Sequence, residues 1–345
     1  MNEKAGLYIH IPFCASKCPY CDFYSVRYEN SAAQEYADRL CMEFHKYRGA
    51  RFDTVYLGGG TPSILDAGLI SKILSAVRSA FDLDEDSEIT IECNPSKDLS
   101  EDFKEYKKAG INRVSIGMQS AVKSERLALG RIAGREEVAK AVSDARTAGI
   151  FNISLDVMLG TPKQTEESLQ ETLGFIGEMK VPHVSAYMLK IEENTPFFKL
   201  RDKMELPGED ETANLYLETV SALEKIGLAQ YEISNFAMPG FESRHNIKYW
   251  RLVPYLGIGK SAHSFWDGRR FYYDRDFEIV DDGEGGSDEE KIMLGLRLAC
   301  GIEKSLIKQD FSPYVKAGFM KENGGRVAFT PKGFLVSNTI LSELI

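Results

Sequence analysis

The chain has 345 residues, 43% hydrophobic and 27% charged, enough to bury the core of one or two globular domains. Its formal net charge of −10 argues against broad nucleic-acid binding and against purely electrostatic attachment to anionic lipid. No apolar run is long enough to span a bilayer, and the opening "LYIHI" lacks a secretory cleavage site, so the sequence reads as cytoplasmic with reduced thiols.

Strand-like and helix-like runs alternate from residue 6 onward. "GLYIHI" (6–11) predicts a strand, and a cysteine-rich loop follows it. Apolar spacing predicts a helix over 31–49, then strand 53–60, helix 67–81, strand 88–94, helix 100–109 and strand 112–119. Helix 135–148, strand 152–159, helix 165–178 and strand 183–189 complete the series. Polar and glycine-rich clusters stand just after the strands: "CASKC", "GGGTP", "ECNPS", "MQS" and "LGTPKQT". Such alternation implies βαβ crossovers and a parallel sheet whose strand ends converge on one ligand-binding mouth. Six units are too few for a closed eight-stranded barrel. The expected fold is therefore α/β, a partial open (β/α)6 barrel over 1–190, with a doubly wound open sheet as the other arrangement. A helix over 209–227 and an aromatic, glycine-rich stretch over 231–273 fall in an extension spanning 191–290. "DDGEGGSDEE" (281–290) reads as an acidic turn or linker. Residues 291–345 read as a smaller α+β C-terminal domain with a short hairpin.

Cys14, Cys18 and Cys21 crowd into eight positions after the first strand. Thiolates suit zinc and iron–sulfur clusters. A structural zinc site wants four ligands, and no second Cys/His pair stands at suitable spacing. A redox Cys18-x-x-Cys21 pair leaves Cys14 unexplained. Three cysteines on a four-iron cluster leave one iron open to a small molecule. Cys41, Cys93 and Cys300 stand alone and are read as buried core cysteines.

The CxxxCxxC spacing, its aromatic surroundings and its place after the first strand of a βα array resemble the radical S-adenosylmethionine (radical SAM) superfamily. The resemblance implies a radical SAM barrel in which Cys14, Cys18 and Cys21 hold a [4Fe–4S] cluster. It further implies that S-adenosylmethionine chelates the unique iron and is cleaved to methionine and a 5′-deoxyadenosyl radical. Gly58, Gly59, Gly60 and Thr61 of "GGGTP" match the stretch that meets the SAM amino group, and glycines let a backbone approach a ligand closely. Glu92, Gln119, Arg131 and Asp156 match positions that contact the amino-acid and ribose parts of SAM, while Tyr8 and Tyr20 would wall the site. Arg131 is suited to a carboxylate and Asp156 to ribose hydroxyls. Helix capping and strand-end hydrogen bonding are the structural alternatives for these polar residues.

"LYIHIPFCASKCPYCDFYS" and further segments along nearly the whole chain, among them "RVSIGMQS", "LDVMLGTPKQT", "RHNIKYW" and "YLGIGKSAHSF", resemble one branch of that superfamily. The branch contains oxygen-independent coproporphyrinogen III oxidase (HemN) and the HemW heme chaperones. Three features lean toward the chaperones. Phe23 stands where the oxidase has a fourth cysteine, Met1 stands a few residues before the first strand so that no N-terminal lid is expected, and "HNIKYW" matches the HNxxYW motif. The resemblance implies heme as ligand, with His245 as an axial ligand and His263 as a second candidate, since imidazole and flat aromatic faces suit heme. It implies transfer of heme to acceptor proteins such as respiratory cytochromes, an electron donor, a homodimer and a peripheral membrane contact. The other reading is oxidative decarboxylation of coproporphyrinogen III propionates to vinyl groups. "GIGKSA" (257–262) is no P-loop, because Pro254 stands where the first glycine is required. Lys260 brings a charge where similar sequences carry a small residue, and 274–290 looks shortened.

Overall fold

The computed structural model describes residues 4–345. Six parallel strands form the centre of the fold: β1 (Ala5–Ile11), β2 (Arg51–Gly59), β3 (Asp82–Cys93), β4 (Arg113–Gln119), β5 (Asn152–Leu159) and β6 (His183–Met188). They neighbour one another in chain order. Helices α1 (Asn30–Glu43), α2 (Ala67–Ala80), α3 (Ser100–Lys108), α4 (Lys123–Ala128), α5 (Arg135–Thr147) and α6 (Glu166–Met179) occupy the crossovers. The short α4, between "MQS" and "LGR", is absent from the periodicity because six residues make too few turns to show one.

Side-chain alternation explains why these strands build an open barrel with two different faces. Leu7, Ile9, Val55, Leu57, Ile89, Ile91, Val114, Ile116, Ile153, Leu155 and Val184 are all buried in one apolar cluster. Leu40 of α1, Leu74 of α2, Phe103 of α3, Val142 of α5 and Leu173 of α6 belong to the same cluster. The intervening residues form a polar inner face. The register aligns Tyr8 with Tyr56 and Thr90, then Glu92 with Ser115 and Ser154, and Asp156 with Ser185.

The stretch 191–290 adds helices α7 (Pro196–Leu200) and α8 (Glu209–Lys225), and strands to both edges of this sheet. Beside β6 run the short antiparallel strands β7 (Ala229–Gln230) and β8 (Asn235–Ala237). Beside β1 runs β9 (Tyr255–Ile258), parallel to it, followed by antiparallel β10 (His263–Trp266), β11 (Arg269–Tyr273) and β12 (Ile279–Glu284). The twelve-stranded order is β12-β11-β10-β9-β1-β2-β3-β4-β5-β6-β8-β7. The acidic segment expected as a turn or linker is divided: its first part lies in β12, and Ser287 caps a helix over Asp288–Gly295. The C-terminal hairpin forms across Gly324 and Gly325, both with positive φ as a tight hairpin turn requires, inside a separate three-stranded sheet. Among the described residues no helix is long and apolar enough to cross a membrane.

Leu155 tests this division of faces. Leu155→Ala should lower unfolding free energy by about 2–5 kcal/mol, because its fully buried side chain would leave a cavity. Equilibrium urea denaturation measures the loss.

Candidate functional site

The cysteine loop leaves the end of β1 and is closed at its base. Val26 N–H donates to the Pro12 carbonyl (2.6 Å) and Tyr28 N–H to the Cys14 carbonyl (2.9 Å). Cys14, Cys18 and Cys21 are all partly exposed. Burial pushes the Cys21 thiol up, and the neighbouring Cys18 and Cys14 thiolates add to it. Cys21 thus lies within electrostatic reach of Cys18 and Cys14, a donor set that suits a cationic partner. Arg131 Nη1 stands 3.9 Å from Cys18 Sγ. Among the described residues no group of three or more histidine, cysteine or carboxylate side chains could hold a single metal ion. Thiolates are the ligands of iron–sulfur clusters, in which different cysteines bind different irons.

Two aromatic contacts fix the loop on the fold. Tyr20 packs on Phe197 of α7 (Pro196–Leu200) at 6.1 Å, and Phe197 N–H donates to the Pro19 carbonyl at 3.0 Å. Tyr24 lies 6.4 Å from the His10 ring, and its carbonyl accepts from His10 Nε2 at 3.0 Å. His10 Nδ1 is then the acceptor for the Tyr8 hydroxyl at 2.9 Å, and burial keeps the ring neutral by lowering its pKa. Tyr20 is raised above its ordinary value, chiefly by burial and then by Cys18.

The glycine strand end presses against this loop. Gly60 N–H donates to the Ile11 carbonyl (2.9 Å) and Thr61 N–H to the Phe13 carbonyl (2.8 Å). The Thr61 hydroxyl lies 3.5 Å from Cys14 Sγ. Gly59 has a φ of +113°, and a Cβ there would meet the His10 ring at 2.4 Å. Neither the backbone conformation nor the space admits another residue.

Glu92 sits beneath the glycines. It accepts from Tyr56 Oη at 2.9 Å and from Gly59 N–H at 3.1 Å. Burial first, and then the Asp156 carboxylate, raise it to about 7. Asp156 is itself raised by burial, although Ser115 Oγ donates to it at 2.8 Å. Arg131 Nη2 donates to the Gly117 carbonyl at 2.7 Å, and a Cβ on Gly117 would meet both Arg131 Nη2 and Gln119 Nε2. Gln119 has a φ of 70° where β4 bulges. Arg131 and Gln119 therefore share one corner, beside Cys18, while Glu92 and Asp156 face each other from β3 and β5.

His245 lies elsewhere. It is fully buried in α9 (Arg244–Trp250), with Nδ1 2.8 Å from Thr54 Oγ1 and Nε2 2.8 Å from the Tyr249 hydroxyl. Burial, helped by Lys248, lowers its pKa to about 3. Both ring nitrogens are engaged and the residue is fully buried, so in this structure the His245 expected as an axial ligand offers no free lone pair to iron. The Glu88 carboxylate accepts from the N–H groups of Arg244 and His245 at 3.0 Å each, and Lys248 pairs with Asp53 at 2.7 Å. Gly6, Thr54 and Glu88 share one register, at the strand end remote from the cysteines. The HNxxYW segment thus closes the far end of the sheet. Of the solitary cysteines, Cys93 is buried as expected, Cys41 is half-buried, and Cys300 is exposed rather than core.

The sequence reading passed over Tyr56, Arg113 and His183. Arg113 is only 1% exposed; burial works against its charge and Glu88 sustains it. His183 bonds Ser154 Oγ at 2.8 Å and the Tyr231 hydroxyl at 2.9 Å. All three occupy alternate positions on strands whose other face is apolar, and that period of two was the available signal.

The radical SAM superfamily model matches residues 8–176. The chain is 31% identical, over its full length and 98% of that protein, to the heme chaperone HemW of Lactococcus lactis subsp. lactis (strain IL1403). It is 39% identical to the heme chaperone HemW of Escherichia coli (strain K12), over 76% of this chain and 71% of that one. Among solved structures it is similar to coproporphyrinogen III oxidase (HemN) from Escherichia coli, a radical SAM enzyme, with a TM-score of 0.83 and 22% identity. That likeness covers 99% of this chain and 90% of the other, and it concerns the fold.

The raised carboxyls set a pH dependence. Glu92 is held at about 7, and so is Glu232, by burial. Both bind protons in the folded state at pH values where the unfolded chain has lost them. Stability of the cofactor-free protein should fall as pH rises from about 4.5 to 7, by on the order of 1 kcal/mol or more per group. Urea midpoints measured across that range should decline, and Glu92→Gln should flatten part of the decline.

Proposed function

Since the chain belongs to the radical SAM superfamily, in the HemW/HemN branch, we propose that it is a heme chaperone. It binds a [4Fe–4S] cluster, S-adenosylmethionine and heme, and passes heme to acceptor proteins such as respiratory cytochromes. The observation that carries the reading is the cysteine loop itself. Three partly exposed thiols are braced against a side-chain-free strand end, in a chain whose relatives along its whole length are heme chaperones.

Cys14, Cys18 and Cys21 would each bind one iron, which leaves the fourth for the amino and carboxylate groups of SAM. Such a cluster supplies single electrons. The chain's own residues supply position and charge. Arg131, beside Cys18, is placed to pair the methionine carboxylate in a charge-assisted contact. The carbonyls of Gly58, Gly59 and Gly60 would meet the ammonium group of SAM. Glu92 orders that strand end through the Gly59 N–H. Asp156, held by Ser115, is an acceptor for ribose hydroxyls. Tyr8 and Tyr20 limit water on either side.

Phe23 favours the chaperone over the decarboxylase. It stands two positions after Cys21 and is 65% exposed, a flat apolar group at the edge of the loop. An acceptor protein, an electron donor, a homodimer and a peripheral membrane contact complete the proposal.

Anaerobic reconstitution tests the whole. The wild type should take up about four irons and bind hemin at one equivalent, and it should convert no coproporphyrinogen III. Serine at Cys14, Cys18 or Cys21 should abolish the brown chromophore, and Cys41→Ser should keep it. Arg131→Ala should weaken SAM binding roughly 10-fold or more, read by calorimetry. Vinyl product without stoichiometric hemin binding would overturn the proposal.

A further inference from the structure

We propose that His263 is the iron ligand of the bound heme, an inference that rests on the heme-binding reading above. The chain has five histidines. His10, His183 and His245 are buried, and each has both ring nitrogens engaged. A ligand entering from solvent can reach neither ring edge of these three. His45 and His263 remain, both exposed and without a hydrogen-bond partner among the described residues.

Position separates the two. His45 lies in the turn Phe44–Tyr47 that leads into the start of β2, at the end of the sheet remote from the cysteines. His263 opens β10, directly after the loop that leaves the far end of β9. Because β9 runs parallel to β1, His263 lies at the same end as the cysteine loop. The register also fixes its face. Tyr8 aligns with Gly257, and Tyr255 aligns with both Gly6 and Phe265. His263, two residues before Phe265, therefore projects from the polar inner face that carries Tyr8 and His10. The His263 backbone closes tightly on β9, since a Cβ on Gly257 would meet the His263 carbonyl at 2.1 Å, and the imidazole itself is exposed.

The surroundings suit a porphyrin. Tyr272 is the ladder partner of His263 and stacks on it, with centroids 5.1 Å apart and planes at 29°. This holds the imidazole in one orientation without using either nitrogen. Lys260 and Arg275 flank the same segment. Lys260 lies over Phe277 at 5.7 Å and Arg275 over Tyr24 of the cysteine loop at 5.1 Å. Neither has a carboxylate partner among the described residues, so both are available to the two heme propionates. Lys260, a charge with no evident purpose in the sequence, thereby gains one. An axial ligand at the solvent edge also suits a protein that must release its heme.

The test is a hemin titration of the cluster-reconstituted full chain, followed by Soret difference spectra and by the ferric EPR signal. His263→Ala should weaken hemin binding at least tenfold and lose the histidine-ligated signal, and added imidazole should restore that signal. His45→Ala should match the wild type. Lys260→Ala with Arg275→Ala should lower affinity and leave the ligand signature intact. If His263→Ala binds hemin with wild-type affinity and spectrum, the assignment falls while the heme-binding reading stands. A thiolate-type signature in the wild type also overturns it. A wild type that takes up no hemin overturns the reading and the assignment together.

Discussion

Two backbone hydrogen bonds hold the site in shape. Gly60 and Thr61, at the end of β2, donate to the carbonyls of Ile11 and Phe13, at the root of the cysteine loop. The approach is so close that a Cβ on Gly60 would meet the Phe13 carbonyl at 2.7 Å, and one on Gly59 would meet the His10 ring. Glycine is therefore a requirement of packing before it is a convenience for any ligand. Once the strand end is fixed, Glu92 finds the Gly59 N–H, Thr61 comes within reach of Cys14, and His10 is locked between Tyr8 and Tyr24. The loop that carries the thiols inherits its position from this junction.

The two ends of the sheet are built for different purposes. At the cysteine end Glu92, Gln119, Arg131 and Asp156 are half-buried. At the other end α9 is sealed in, with Glu88 capping its first N–H groups, Lys248 on Asp53, and His245 between two hydroxyls. Buried polar groups tolerate this only when partnered, and Glu88, Lys248 and His245 each are. A helix of seven residues has little stability alone, so its order comes from these contacts. The HNxxYW motif is thus a closure that keeps the inner face intact from below.

Much of this was legible in the sequence. Alternation of strands and helices gave the order of the six central units, because long amphipathic helices and short apolar strands differ in period. The cysteine spacing and the glycine strand end pointed to the right mouth. What escaped notice has physical reasons. β7 and β8 have two and three residues, too few to carry a period. Arg113 and His183 are scattered polar residues in apolar strands and become a group only when the strands lie side by side. His245 looked like a ligand because residue type does not tell whether an imidazole's nitrogens are already engaged. Cys300 looked like core and is exposed, since a lone cysteine has no pattern to place it.

The central claim is that three thiolates leave one iron of a four-iron cluster free for S-adenosylmethionine. Mössbauer spectroscopy of the iron-57 reconstituted protein, recorded with and without S-adenosylmethionine, addresses that iron directly. The account predicts that one iron in four changes its isomer shift on addition while the other three keep theirs. A spectrum that S-adenosylmethionine leaves unchanged, in a protein with a full cluster, would contradict it.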